Sequence, residues 1–142
     1  MPHPELDNLV RIHQLKAESC AQSEFDGLLK SGIVRLKDAQ QWELSPESRF
    51  DLAYNAAHAL SLAALRWHGY RSENRYLVFQ CLTHTINLTA TQWRILDQAH
   101  KKRNLAEYEG DIDVEEPLLI ALIEVTKTVE QGVLKLGLIK TK

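Results

Sequence analysis

The sequence predicts an all-α protein, a bundle of about five or six helices in a single domain that spans residues 1–142. Two observations lead to this fold class. Only 6 residues are glycine and 4 are proline, and most of them lie at the ends of apolar segments with helical spacing, which favours long elements. The alternation of apolar and polar residues that marks half-buried strands is weak throughout. The length allows one hydrophobic core and is too short for two comfortable ones.

Composition and charge describe an ordinary globular chain, with 44% apolar residues, 25% charged residues and a formal net charge of −2. This net charge does not support attraction of the whole surface to nucleic acid or to an anionic membrane, but it leaves room for a local basic patch. The N-terminus has no basic stretch followed by an apolar run, and the longest apolar run, 118–123, is too short to span a bilayer. Two cysteines without a C-x-x-C pair suit a reducing compartment, so we expect a cytoplasmic protein without membrane contact.

The first two helices are the least regular of the predicted set. Residues 4–18 have a loose apolar side and predict a weak first helix. Residues 22–40 carry apolar side chains at helical spacing and predict the second, although Gly27 and Gly32 weaken it.

The third helix is the clearest element in the sequence. Ser45 suits the N-cap, Pro46 suits the first helical position and Gly69 suits the C-terminal stop. The span between them is rich in alanine and apolar nearly all round, which predicts a central, closely packed helix. A thin polar stripe at spacings of four and three interrupts it, formed by Asp51, Asn55 and His58.

The fourth helix is predicted over residues 73–86, with Ser72 as its cap. The last helix is predicted to begin near Asp113, although Pro117 lies slightly late for that boundary. Its apolar residues, spaced by four, three, four and seven, are Leu118, Leu122, Val125, Val129 and Leu136.

The fifth helix, predicted over residues 90–109, begins at a capping box. In the stretch TATQ, Thr89 caps the helix and Gln92 reaches back to it, while Gly110 ends the helix. This element therefore has the best-defined ends of the later helices.

The same helix places charge on its own apolar side. At 100° per residue, Arg103 lies near the middle of the apolar arc, flanked by Glu107 and His100. Asn104 and Tyr108 lie at the edge of that arc. Because a buried guanidinium without partners is costly, three interpretations follow: an internal Arg103–Glu107 network, a cleft or dimer-interface site, or a solvated helix end.

Signals for metal or cofactor binding are weak. Cys81 and His84 are three residues apart and would suit two metal ligands, with His58 or His100 as a third, but nothing in the sequence fixes the rest of such a site. No glycine-rich phosphate loop and no nucleophile elbow occur. We therefore expect neither a metal nor a cofactor.

Two segments resemble the HEPN superfamily of small helical-bundle domains. The alanine-rich helix RFDLAYNAAHALSLAALRWHGYR is similar to the family's central helix, and HKKRNLAEYEGD is similar to its terminal motif of an arginine followed by polar residues. With the helix between them, these segments cover about residues 48–111. The resemblance implies an up-and-down HEPN-like core over about residues 22–137.

Many members of that superfamily are metal-independent ribonucleases that act as homodimers, with a histidine four to six residues after the motif arginine. By this resemblance, Arg103 would stabilise phosphate and its developing charge, and Asn104 would help to orient it. Tyr108 stands where the family has its histidine, and His100 lies one turn before Arg103. In some toxin–antitoxin pairs of the family, a tyrosine near the motif is modified by a partner nucleotidyltransferase.

Three functions remain open on this basis. The leading one is a non-catalytic homodimer that binds a nucleotide, RNA or an antitoxin-like protein partner around Arg103, Asn104 and Tyr108, with Glu107, Asp51, Asn55 and His58 as further contacts. The second is a ribonuclease of the toxin type, with His100 or His58 as a substitute base. The third is a structural bundle in which Arg103 and Glu107 form an internal tie.

Overall fold

The computed structural model describes residues 3–110 and 114–139, and only the backbone of residues 107–109. Its helices are α1 (Pro4–Arg11), α2 (Gln22–Ala39), α3 (Pro46–Trp67), α4 (Arg75–Gln80), α5 (Leu82–Thr85), α6 (Ala90–Glu109) and α7 (Glu116–Leu134). Two short strands, β1 (Lys16–Ala17) and β2 (Tyr70–Arg71), pair antiparallel. The prediction of an all-α bundle is confirmed.

Helix α3 lies at the centre of the bundle, as its alanine-rich sequence predicts. It packs most extensively against α2 and α7 and also contacts α4, α5 and β2. Six of its alanines are buried, so neighbouring helices approach its backbone closely. Its N-cap is the predicted one, because the Ser45 hydroxyl accepts a hydrogen bond from the Ser48 N–H at 3.1 Å.

The hydrophobic core has two parts, a larger and a smaller cluster of buried side chains. The larger part joins α2, α3, α6 and α7, with Phe50, Leu60 and Leu122 among its fully buried side chains. The smaller part packs Leu6 of α1 and Leu15 against the end of α3 and against α4. Helix α1 is therefore attached to the bundle by its own apolar cluster.

The first predicted helix is too long, because residues 12–18 are not helical. Helix α1 ends at Arg11, and His13 takes a left-handed backbone conformation with φ of 64°. The chain then forms β1, in which Lys16 pairs with Arg71 and Ala17 with Tyr70. This pairing joins residues more than fifty positions apart, so no local pattern could reveal it.

The fourth helix begins later than predicted, at Arg75, and the predicted span is interrupted. The Ser72 hydroxyl accepts from the Asn74 N–H at 3.0 Å, and Asn74 in turn caps α4 by accepting from the Leu77 N–H at 3.1 Å. Cys81 then separates α4 from α5. The cap is thus Asn74, because the hydroxyl of Ser72 is used in the turn that precedes the helix.

The capping box of α6 is confirmed in both directions, with Thr89 and Gln92 hydrogen-bonded at 3.0 and 3.2 Å. Gly110 ends this helix in the left-handed conformation, with φ of 73°. Helix α7 begins at Glu116 with Glu115 as its N-cap residue, and Asp113 lies outside the described residues.

Trp42 is the most exposed large apolar side chain, with 79% of its surface accessible. Its ring lies 5.1 Å from the guanidinium carbon of Arg49. No helix in the part of the chain described here is long and apolar enough to cross a bilayer.

Candidate functional site

The contact between α3 and α6 brings His100 against Tyr54. The Tyr54 hydroxyl lies 3.0 Å from Nδ1 of His100, and the two rings stack at a centroid distance of 6.3 Å. Tyr54 is only 2% exposed, so this hydrogen bond is protected from solvent on its tyrosine side. The contact thus joins a polar residue of α6 to the central helix.

Asn104 occupies the other ring nitrogen of His100. Its amide nitrogen lies 3.2 Å from Nε2, one helical turn along α6. Both ring nitrogens of His100 therefore have a hydrogen-bonding neighbour, one on its own helix and one on α3. The amide and the tyrosine together hold the His100 ring in one orientation.

Arg103 reaches back across the same helix pair to α3. One of its terminal nitrogens lies 3.0 Å from the Asp51 carboxylate, and its guanidinium carbon lies 5.0 Å from the centre of the Tyr54 ring. The side chain of Arg103 is 26% exposed and that of Asp51 is 57% exposed, so the ion pair lies at the surface of the bundle. We call Asp51, Tyr54, His100, Arg103 and Asn104 the Tyr54 cluster.

The partner that the sequence suggested for Arg103 was Glu107, one turn along the same helix. The structure shows an ion pair of Arg103 with Asp51 on another helix. The side chains of Glu107 and Tyr108 lie outside the described residues, so their predicted roles stay predictions.

Two residues of the polar stripe on α3 contact different arginines. Asp51 serves Arg103, whereas Asn55 accepts a hydrogen bond from a terminal nitrogen of Arg75 at 3.1 Å. The guanidinium carbon of Arg75 also lies 5.6 Å from the centre of the Tyr54 ring. Two arginines from different helices therefore contact one buried tyrosine through cation–π interactions.

His58, the third residue of the stripe, contacts α4. Its ring meets the edge of Phe79 at a centroid distance of 6.1 Å. Burial, and secondarily the nearby charge of Arg75, lower the pKa of His58 to about 4, so this imidazole is neutral at physiological pH. The neighbours of His58 are thus Phe79 and Arg75, and the second of these also hydrogen-bonds to Asn55 of the stripe.

Metal binding finds no support in the residues that the structure describes, since no three histidine, cysteine or acidic side chains there are grouped to hold an ion. Burial raises the pKa of Cys81 to about 11, which leaves a neutral thiol rather than the thiolate that metals bind. Neither Cys81 nor His84 contributes to the Tyr54 cluster.

The sequence reasoning missed Tyr54 and Arg75. Tyr54 lies between Asp51 and Asn55 on α3, so the spacing that defined the polar stripe also places this ring on the same side of the helix. Arg75 had no comparable signal, because its approach to Asn55 depends on how α4 packs across α3.

No known protein family, curated protein or solved structure matches this chain. The chemistry of the Tyr54 cluster is therefore inferred from its own atoms. The guanidinium of Arg103 and the side-chain amide of Asn104, on neighbouring residues of one helix, can bind an anion with several oxygens, such as a phosphate group.

Replacing Tyr54 by phenylalanine should lower the free energy of unfolding by about 1 kcal/mol, because the buried hydrogen bond to His100 is lost while the ring is kept. Urea denaturation measures this change, and nitrogen NMR of His100 should report a shifted tautomer equilibrium. The Tyr76→Phe variant is the control, since this neighbouring hydroxyl makes no hydrogen bond to the described residues. Equal losses in the two variants would contradict the assigned role of the Tyr54 hydroxyl.

Proposed function

We propose that this protein is a homodimeric, HEPN-like binding domain that uses the Tyr54 cluster to hold a phosphate group of RNA or of a nucleotide, without strong catalysis. The observation that carries this proposal is the position of Arg103. Its guanidinium is held over the Tyr54 ring at 5.0 Å, three-quarters buried, and points to an exposed carboxylate. An arginine held in this way is preorganised for an anionic ligand.

A phosphate group can take the place of the Asp51 carboxylate. Both groups accept paired hydrogen bonds from a guanidinium, and Asp51 is exposed enough to turn into solvent when it is displaced. Asn104 follows Arg103 directly in the sequence and provides a second donor group near the same surface. In this arrangement Asp51 holds Arg103 in place until the ligand arrives.

The homodimer is supported by the resemblance to the HEPN superfamily and by apolar surface on the last two long helices. Leu105 on α6 is 51% exposed and Ile120 on α7 is 52% exposed. Side chains of this kind suit contact with a second copy of the chain. Dimerisation would bring two Tyr54 clusters into one assembly.

The test is fluorescence anisotropy with labelled single-stranded RNA on fractions whose mass is known from light scattering. We expect wild type to be a dimer and Arg103→Ala to be a folded dimer that binds RNA about tenfold more weakly, because one charge-assisted contact to phosphate is lost. The salt dependence of binding should fall in the same variant, since fewer counterions are released.

Arg94→Ala is the matched control, because Arg94 is an exposed arginine on the same helix and the net charge changes equally. Its RNA affinity should stay close to that of wild type. Equal weakening in both variants would reduce the effect to net charge and contradict a site at Arg103. A monomer that binds neither RNA nor nucleotides would contradict the whole proposal and leave the structural bundle or a protein partner of the antitoxin type.

A ribonuclease is the second candidate, because His100 lies beside Arg103 in the same cluster and would be the substitute base. Both of its ring nitrogens already have hydrogen-bond partners, so Asn104 or Tyr54 would have to release one of them before a proton could be taken. Cleavage of RNA by the same fractions, abolished in His100→Ala, would favour this activity over simple binding.

A further inference from the structure

A second polar region lies on the other side of Asn55, where α2, α3, β2 and the start of α4 enclose an open pocket of about 430 Å³. We call it the His58 pocket. Arg103, His100 and Asn104 do not line it. Its lining residues are Glu24, Leu28, His58, Leu62, Arg66, Arg71, Ser72, Glu73 and Arg75.

The charges around this pocket leave one arginine uncompensated. Arg66 forms an ion pair with Glu24 at 2.7 Å, and Arg71 forms one with Glu18 at 3.2 Å. Arg75 is half-buried and has no carboxylate within ion-pair distance among the residues that the structure describes. Because a half-buried charge without a counter-ion is costly, the guanidinium of Arg75 favours an anion in this pocket.

His58 supplies a neutral hydrogen-bonding group in the same pocket. Its imidazole makes no hydrogen bond to any described residue, so both ring nitrogens are available, one as a donor and one as an acceptor. Leu28 and Leu62 add an apolar wall. Apolar surface with a few convergent polar groups is the usual composition of a pocket for a small organic ligand, and the volume lies in the usual range for such sites.

We propose that the His58 pocket binds a small phosphomonoester with a planar, largely apolar body, of which a nucleoside monophosphate is the simplest example. The phosphate lies against the guanidinium of Arg75, the body packs on Leu28 and Leu62, and His58 hydrogen-bonds to the edge of that body. This site is independent of the function proposed for the Tyr54 cluster, since it needs neither Arg103 nor a dimer.

Two substitutions at the pocket are expected to change ligand affinity in opposite directions. Glu73 is exposed, has no ion pair among the described side chains, and repels an anion. Removing its charge with Glu73→Gln should therefore tighten binding, while removing the charge of Arg75 with Arg75→Gln should weaken it. A general folding defect would weaken binding in both variants, so it cannot produce this pair of results.

The experiment is a calorimetric titration of the full chain with adenosine monophosphate, adenosine and inorganic phosphate. We expect the monophosphate to bind at least about tenfold more tightly than either fragment, Arg75→Gln to weaken it by about tenfold or more, and Glu73→Gln to strengthen it. Arg94→Ala should leave this binding unchanged, because Arg94 is an exposed arginine outside the pocket and its removal changes the net charge equally.

A second readout follows the ring of His58 by NMR during a pH titration. The positive charge of Arg75 is one cause of the lowered pKa, so a bound phosphate should raise the pKa of His58 and shift its ring signals. The proposal is overturned if the monophosphate leaves these signals unmoved at millimolar concentration, if inorganic phosphate binds as tightly, if Arg75→Gln has no effect, or if Arg94→Ala weakens the binding as much as Arg75→Gln does.

Discussion

Replacing Arg66 by methionine is expected to lower the free energy of unfolding by about 3 kcal/mol, the largest loss of the substitutions considered. Arg66 is 2% exposed although it carries a full charge. It donates to the Glu24 carboxylate at 2.7 Å and to the backbone carbonyls of Glu18, Ser19 and Tyr70 at 2.8, 3.0 and 3.4 Å. Methionine keeps much of the apolar stem and removes every one of these donors.

The cost arises from the backbone rather than from the ion pair. Glu24 and Glu18 are about half exposed, so water can solvate their carboxylates once the arginine is gone. The carbonyls around the guanidinium have less access to water and lose their partner. These carbonyls belong to the chain that joins β1 to α2 and to β2, so the loss should loosen the attachment of α1 as well.

Urea denaturation of wild type and Arg66→Met measures the loss, and its pH dependence identifies the ion pair. The hydrogen bond from Arg66 lowers the pKa of Glu24 below its ordinary 4.5. A carboxyl whose pKa is lowered on folding stabilises the native state above that ordinary value, and this contribution disappears as the pH falls through the lowered pKa. The difference between the two proteins should therefore shrink in acid.

Arg71→Met is the matched control, because Arg71 is half exposed and pairs with the same Glu18 carboxylate at 3.2 Å. It should cost no more than about 1 kcal/mol, as exposed ion pairs do. If both variants lost the same stability, the carbonyl contacts of Arg66 would not be what holds this region together.

Two glycines of α2 are expected to respond to alanine with opposite signs. Gly32→Ala should destabilise the protein by about 1–2 kcal/mol, because an added Cβ would lie 2.5 Å and 2.7 Å from two side-chain atoms of Leu60. Leu60 is fully buried in the main core, so a shift of its side chain would disturb the residues packed around it. The better helix propensity of alanine offsets only part of this cost.

Gly27→Ala should instead stabilise the protein by about 0.5–1 kcal/mol, since nothing lies within 4 Å of its added Cβ and alanine costs less backbone entropy in a helix. Thermal unfolding monitored by circular dichroism compares both variants under identical conditions. A stabilised Gly32→Ala would mean that α2 and α3 do not approach each other as closely as the structure indicates.

These two glycines show where local sequence information ends. Both break the helical pattern of residues 22–40 in the same way, and the sequence could only count both against the helix. One is exposed and the other accommodates Leu60 of α3. Helix propensity is a property of the single residue, whereas a close approach of two helices depends on which residue of the other helix lies opposite.

For the candidate site too, local periodicity predicted some features and contacts between helices decided the others. The helical period of residues 90–109 was enough to place Arg103 and His100 on the inner side of α6, and the period of α3 grouped Asp51, Asn55 and His58. The contacts between helices could not be predicted in this way, because the Arg103–Asp51 ion pair joins α6 to α3 and the Arg75–Asn55 hydrogen bond joins α4 to α3. The partner of a long side chain depends on which groups lie near it in the folded structure, and spacing within one helix does not determine this.

The burial of Arg66 is the clearest example of a property that depends on tertiary structure. In the sequence it is one cation near the end of an alanine-rich helix, with no pattern to mark it as buried. The sequence by itself determined the all-α class, the caps of α3 and α6, and the inward side of the charged helix, because each follows from hydrogen bonds and periodicity within one segment. The packing of α2, α3 and the strand pair decided which charges are buried and what they contact, because burial depends on the elements that cover a side chain.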